Sequence, residues 1–212
     1  MRNKVQGLAA AVGLALLCTM AQAQENTIKI GVTRYDTHAK TSGISGIGVP
    51  AGADAEVGDA TTAIFVYERL VSPNFGIELV LGVPPKITSR ASGTVAFLGE
   101  VLSARNVAPT LLFNYHFGQP GDTLRPYLGA GINYTRFVDI KSSLASDVQM
   151  SDSVGLAVHA GIDYALNKQW GLFASVSALK VKSDLVASGS TVLTTTIDFK
   201  PIVYSMGASY RF

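Results

Sequence analysis

A chain of 212 residues, 48% hydrophobic and 15% charged, with one cysteine and a formal net charge of +2, has room for one domain of ordinary size. Its near balance of 17 basic and 15 acidic side chains gives no electrostatic basis for binding nucleic acid, and a lone cysteine excludes a disulfide framework. After residue 24 no apolar run reaches the length of a membrane-spanning helix.

The chain begins with Arg2 and Lys4, followed by an apolar stretch from Gly7 to Leu17 and by Ala21-Gln22-Ala23. A positive start, a short apolar segment and a small-x-small site predict a signal peptide over 1–23 and a mature domain over 24–212. The leader carries two basic residues and no acidic one, so the mature chain holds 15 of each sign and no net charge. Cys18 raises a lipoprotein alternative, but Ala15-Leu16-Leu17 before it lacks the residues expected at such a site.

Eight strands are predicted in the mature chain, each with a period-two apolar stripe. The first runs over about 27–35, with Ile28, Ile30 and Val32 on one face. The second covers about 61–71 with Ala63, Phe65 and Tyr67, and the third covers 75–83 with Phe75, Ile77, Leu79, Leu81 and Val83. The fourth spans about 107–117 with Leu111, Phe113, Tyr115 and Phe117, and the fifth spans about 124–138 with Leu128, Ala130, Ile132 and Tyr134. The sixth, about 153–166, aligns Val154 through Tyr164, and the seventh, about 170–182, aligns Trp170, Leu172, Ala174, Val176 and Ala178. The eighth, about 195–212, aligns Ile202, Tyr204, Met206, Ala208, Tyr210 and Phe212 and leaves Val203, Ser205, Gly207, Ser209 and Arg211 on the other face. Three short turns (72–74, 118–123, 167–169) alternate with four long segments (36–60, 84–106, 139–152, 183–194).

A soluble strand does not normally end on an exposed Tyr-x-Phe. A soluble β-barrel or sandwich would also carry charged outer faces, whereas here the second face of several strands is rich in Gly, Ala, Ser and Asn. The pattern predicts an all-β fold, an eight-stranded antiparallel transmembrane β-barrel with short periplasmic turns and long extracellular loops. Its greasy stripes face lipid and its small residues fill a narrow interior. Phe212 also looks like the C-terminal signal read by the barrel-assembly machinery, and outer-membrane lipids and lipopolysaccharide become the expected surroundings.

Arg125-Pro126-Tyr127-Leu128-Gly129-Ala130-Gly131-Ile132-Asn133-Tyr134 is similar to the fifth-strand signature of the OmpW/AlkL family of small outer-membrane barrels. Ala108-Pro109-Thr110-Leu111-Leu112 with Tyr115-His116-Phe117-Gly118 resembles its fourth strand, Gly155 through Trp170 its sixth strand and following turn, and Tyr210-Arg211-Phe212 its ending. The resemblance covers most of the mature chain but not the long loops. It implies a barrel that admits small hydrophobic molecules across the outer membrane.

With the apolar stripes outward, strand alternation turns other residues into the lumen. Glu68, Glu78, Arg125, Asp163 and Arg211 all fall near the periplasmic end and are expected to pair in a charged cluster. That cluster either fills the barrel or gates water. Higher up, Ile64, Val66, Leu70 and Leu112 are expected to line an apolar path. Pro84, Pro85 and Pro109 remove ladder donors, so they either end strands or weaken the wall enough for lateral exit. Phe97, Leu98, Val101 and Leu102 recur at helical spacing, predicting a short amphipathic helix at the barrel mouth.

No spacing among His38, His116 and His159 suggests a metal site, and no Ser/His/acid set suggests a hydrolase. Gly46-Ile47-Gly48-Val49-Pro50-Ala51 lacks the strand-helix context of a dinucleotide fingerprint. Neither enzyme chemistry nor a cofactor is expected. The functional expectation is passive uptake of small hydrophobic ligands; the competing class is a closed structural or surface-interaction barrel whose loops bind host molecules, phage or bacteriocins.

Overall fold

The computed structural model describes residues 26–37, 40–41, 43–46, 48–145, 147–188 and 192–212. The predicted leader, Cys18 and His38 lie outside them. Eight strands form the barrel: β1 (Asn26–Asp36), β2 (Ala60–Leu70), β3 (Phe75–Gly82), β4 (Thr110–His116), β5 (Leu124–Ser142), β6 (Ser153–Ala165), β7 (Trp170–Leu179) and β8 (Ile202–Arg211). Each pairs antiparallel with its chain neighbour, and β8 pairs with β1 from Thr27↔Arg211 to Asp36↔Ile202, which closes the ring. Closure removes both sheet edges. Among the described residues no helix is long and apolar enough to cross a membrane, which says nothing against crossing by strands.

The register puts every predicted stripe outside. Ile30, Phe75, Leu128, Leu156 and Met206 each leave more than half their surface uncovered. Contiguous apolar exposure on this scale is stable against hydrocarbon, not water. Aromatic rings gather at the short-turn end: Trp170 meets Tyr210 at 5.0 Å between centroids, and Tyr115 meets both Phe75 and Phe117 at 5.1 Å. Such a girdle marks a membrane interface.

Inside, an eight-stranded wall leaves space for side chains and at most one narrow ligand path. Small residues make that packing possible. Gly161 stands opposite Tyr127, and a Cβ there would run into the phenol ring, which is only 2% exposed. Gly161→Val is expected to destabilise the barrel by about 1–3 kcal/mol through overpacking; urea unfolding of the protein in detergent, read by its heat-modifiable gel mobility, measures it.

At the other end the long segments are not loops, as their composition suggests, but hairpin extensions of the barrel. Ala53–Val57, Lys86–Gly93 and Glu100–Val107 add to the distal half of β5 as one sheet. Asp147–Met150, Val181–Ser188 and Val192–Phe199 form a second sheet, joined by Lys40–Thr41 and Ser45–Gly46. The barrel wall thus divides in two above its closed section. The amphipathic helix expected around Phe97 is absent there: a single 3-10 turn covers Ala96–Leu98 and a strand begins at Glu100. Pairing with Lys86–Gly93 satisfies the backbone in extended form and overrides the local periodicity.

Candidate functional site: a sealed lumen beneath apolar cavities

A layer of polar side chains closes the lumen near the short turns. Lys29 of β1 is its centre, 1% exposed. Its Nζ lies 3.1 Å from Glu68 Oε2, 3.0 Å from Asp163 Oδ1 and 3.5 Å from Glu78 Oε2. The ammonium also sits 4.7 Å above the Tyr127 ring, a cation–π contact. Asn114 donates to Glu68 Oε1 at 2.9 Å and to Glu78 Oε2 at 3.1 Å, and its Oδ1 meets His159 Nε2 at 2.6 Å. His116 Nε2 lies 2.7 Å from the same Glu68 oxygen. Six strands, β1 to β6, contribute to this network, which meets most of the hydrogen-bonding demand of groups withdrawn from water. His116 Nδ1 is buried without a hydrogen bond among the described residues, 3.8 Å from Asp163 Oδ2.

Glu68, Glu78 and Asp163 stand around Lys29, while the two arginines do not. Arg125, 3% exposed, donates instead through Nη2 to the Pro73 carbonyl in the first short turn at 2.8 Å. Arg211 is half-buried at the β1–β8 seam, opposite Thr27. Arg125 is the direct cross-strand partner of Asp163, so the direction its long side chain takes, toward the turn, keeps it out of the cluster. Lys29 was legible by alternation, since Ile28 and Ile30 face outward and one residue between them must face inward. Glu68, His116 and Asp163 also offer donor atoms within 4.8 Å of one another, a grouping that no sequence spacing shows. Lys29 Nζ stands between the two carboxylates of that set.

Above the layer lies a lumenal cavity of about 50 Å³ with a mixed wall: Ile64, Val66, Leu112, Phe173 and Val203 supply its apolar part, and the hydroxyls of Thr33, Ser175, Ser177 and Ser205 its polar part. Leu70 is not part of it. It sits on the short-turn side of Glu68, against Gly76, so its position along β2 places it below the charged layer, not above it. Farther out, Phe137 and Phe199 stack at 5.9 Å between centroids, in an apolar cluster with Val181 and Ile197. A small space lined by Tyr35, Ala108, Leu179 and these two rings adjoins the lumenal cavity. Beyond the rings a second cavity, of about 80 Å³, opens between the two outer sheets; Ile44, Val57, Val101, Leu144, Leu185 and Ile197 line it.

The prolines mark a break in the wall. The β3–β4 ladder runs from Phe75↔Tyr115 to Val80↔Thr110, and the outer strands resume at Lys86↔Arg105. Pro84, Pro85 and Pro109 lie in the interval, beside a 3.4 Å bond from the Asn106 amide to the Pro85 carbonyl.

A family model described as the OmpW family matches residues 22–212. The chain belongs to the OmpW family. It is 32% identical over 152 residues to Outer membrane protein W of Vibrio cholerae, an alignment covering 68% of this chain and 70% of that one. It is 31% identical over 175 residues to the dibenzothiophene metabolism operon protein PahQ of Pseudomonas aeruginosa, covering 81% and 79%. The crystal structure of OprG, an outer membrane protein from Pseudomonas aeruginosa, superposes with a TM-score of 0.83 at 26% identity over 90% of this chain and 97% of that one. This OmpW-family chain is thus a bacterial outer-membrane barrel, its short turns periplasmic and its two outer sheets extracellular.

Proposed function

We propose that this barrel conducts small apolar molecules passively through the outer membrane, without enzyme chemistry or a cofactor. The observation that carries the reading is a vertical sequence of surroundings. An apolar cavity between the extracellular sheets leads toward the stacked Phe137 and Phe199 and then to a lumen lined by Ile64, Val66 and Leu112. The lumen ends on the Lys29 layer. An apolar molecule gains by leaving water for such walls, while crossing a layer of buried ion pairs would cost it their separation. Its way out is sideways into the bilayer, where the prolines interrupt the β3–β4 ladder. In this role Glu68, Glu78 and Asp163 are the closed floor that also excludes water and ions. The name of the relative encoded in a dibenzothiophene metabolism operon supports an apolar, ring-containing cargo.

Initial uptake of labelled dibenzothiophene by cells with and without the protein tests this. Several-fold faster uptake in the expressing cells is expected; equal rates would leave a closed barrel that acts through its extracellular sheets.

A further inference from the structure

We propose that the outer wall of β6–β8 carries a binding site for a phosphorylated glycolipid of the outer leaflet, with one lipid phosphate held between Lys180 and Lys200. These lysines face each other across neighbouring strands. Ala178↔Ile202 lies on one side of them and Val181↔Phe199 on the other, and the Leu179 amide donates to the Pro201 carbonyl at 3.1 Å between. Leu179, Val181, Phe199 and Pro201 turn inward, so both lysines point out of the barrel, and both are exposed. Lys182 follows on the same face, one step further from the membrane.

Like charges directly opposite in a sheet repel, and the arrangement favours an anion between them. The local acids do not supply it in full. Asp198 lies 3.2 Å from Lys200. Asp184 accepts from Thr196 at 2.7 Å, and Asp152 accepts from the Tyr134 hydroxyl. Neither Lys180 nor Lys182 forms an ion pair among the described residues. Elsewhere on the rim the balance is different: Arg34 pairs with Asp59 at 2.9 Å, Lys86 with Glu100 at 3.8 Å and Arg105 with Asp139 at 3.7 Å. In the β6–β8 sector the three lysines equal the three aspartates in number, but Asp184 and Asp152 are engaged by hydroxyl donors, which leaves two of the lysines without an ion-pair partner among the described residues.

The position selects a lipid. The Lys180 amide donates to the Leu156 carbonyl of β6 at 3.0 Å, so the side chain leaves the wall beside Leu156, 69% exposed, and near Val154, 74% exposed. Ile202 and Tyr204 continue the apolar surface toward the bilayer centre on β8. A phosphate at the lysines therefore places its own acyl chains on this shelf. A phosphate monoester carries up to two negative charges and accepts charge-assisted hydrogen bonds from both ammonium groups. The extracellular ends of the strands carry the site, which assigns it to the outer leaflet, and a glycolipid with phosphates on its sugar headgroup is the ligand whose charge and chains coincide with it.

Diphosphoryl lipid A, added to the folded protein in a neutral detergent and followed by native mass spectrometry, is the direct probe. Lys180→Gln with Lys200→Gln is expected to weaken its binding about tenfold, and Lys180→Gln alone to weaken it less. Lys86→Gln, which removes a rim lysine on the other outer sheet, is expected to bind as the unaltered protein does. Dephosphorylated lipid A is expected to bind no better to the unaltered barrel than to the double variant. The site is refuted if the double variant retains full affinity, or if phosphatidylglycerol binds the unaltered barrel as tightly as diphosphoryl lipid A does. Heat-modifiable gel mobility verifies that each variant is folded.

Discussion

Lys29→Met destabilises the folded barrel by about 3–5 kcal/mol, the usual cost of removing one partner from a buried ionic network. The loss follows from what remains. Glu68, Glu78 and Asp163 keep their places around an apolar side chain, and the ammonium within 3.5 Å of all three is gone. Glu68 and Glu78 are direct cross-strand neighbours on β2 and β3, so their repulsion is built into the register. Asn114 bridges them by hydrogen bonds but brings no charge. Urea unfolding in lipid vesicles, followed by tryptophan emission from Trp170, measures the change. Adding Glu68→Gln and Glu78→Gln to Lys29→Met is expected to recover a large part of it, because neutral amides no longer need the missing cation. Unfolding of Lys29→Met at the urea concentration of the unaltered protein would show that the layer contributes nothing to holding the barrel together.

Cross-linking Gly82→Cys to Ala108→Cys abolishes uptake of apolar tracer, and reduction restores it. Both residues line the lumenal cavity where the β3–β4 ladder has lapsed. Gly82 has room for a side chain: the nearest atom to a Cβ built there is the Tyr35 hydroxyl at 3.7 Å. A covalent bridge closes the interval between Val80↔Thr110 and Lys86↔Arg105 without touching the floor. The matched control joins Ile77→Cys to Phe113→Cys, a pair on the lipid face where β3 and β4 are already in register. Uptake is expected to survive that bridge. If uptake also survives the first bridge, the cargo does not leave between these strands.

Most of the wall was readable from the chain, and its reason is the two-residue period of a strand. A slip of one residue would exchange every inward and outward side chain, so a stripe such as Trp170, Leu172, Ala174 and Val176 settles which face meets lipid before any partner strand is known. The same rule placed Glu68, Glu78 and Asp163 inside, together with Ile64, Val66 and Leu112. It also contained Lys29, hidden between two residues of an apolar stripe. Alternation says which side a residue takes, but not how far along the lumen it lies relative to residues on other strands. That depth depends on the stagger between strands. Nor does alternation say where a long side chain ends: Arg125 stands directly opposite Asp163, yet its guanidinium bonds to the Pro73 carbonyl and not into the layer around Lys29.

The long segments were less legible because they hold extended hairpins without a sustained apolar stripe. Their strands are set by partners distant in the chain, as Ala53–Val57 is by Lys86–Gly93. The helical spacing around Phe97 lost to such pairing. Strand number, the lipid-facing surface and the polarity of the interior were determined by the sequence alone, since each depends on local alternation and on the spacing of turns. The charge pairs of the floor, the break beside the prolines and the cavity between the extracellular sheets were decided only by the tertiary structure. Each arises where residues from several strands meet at one height, and that height is a property of the closed barrel as a whole.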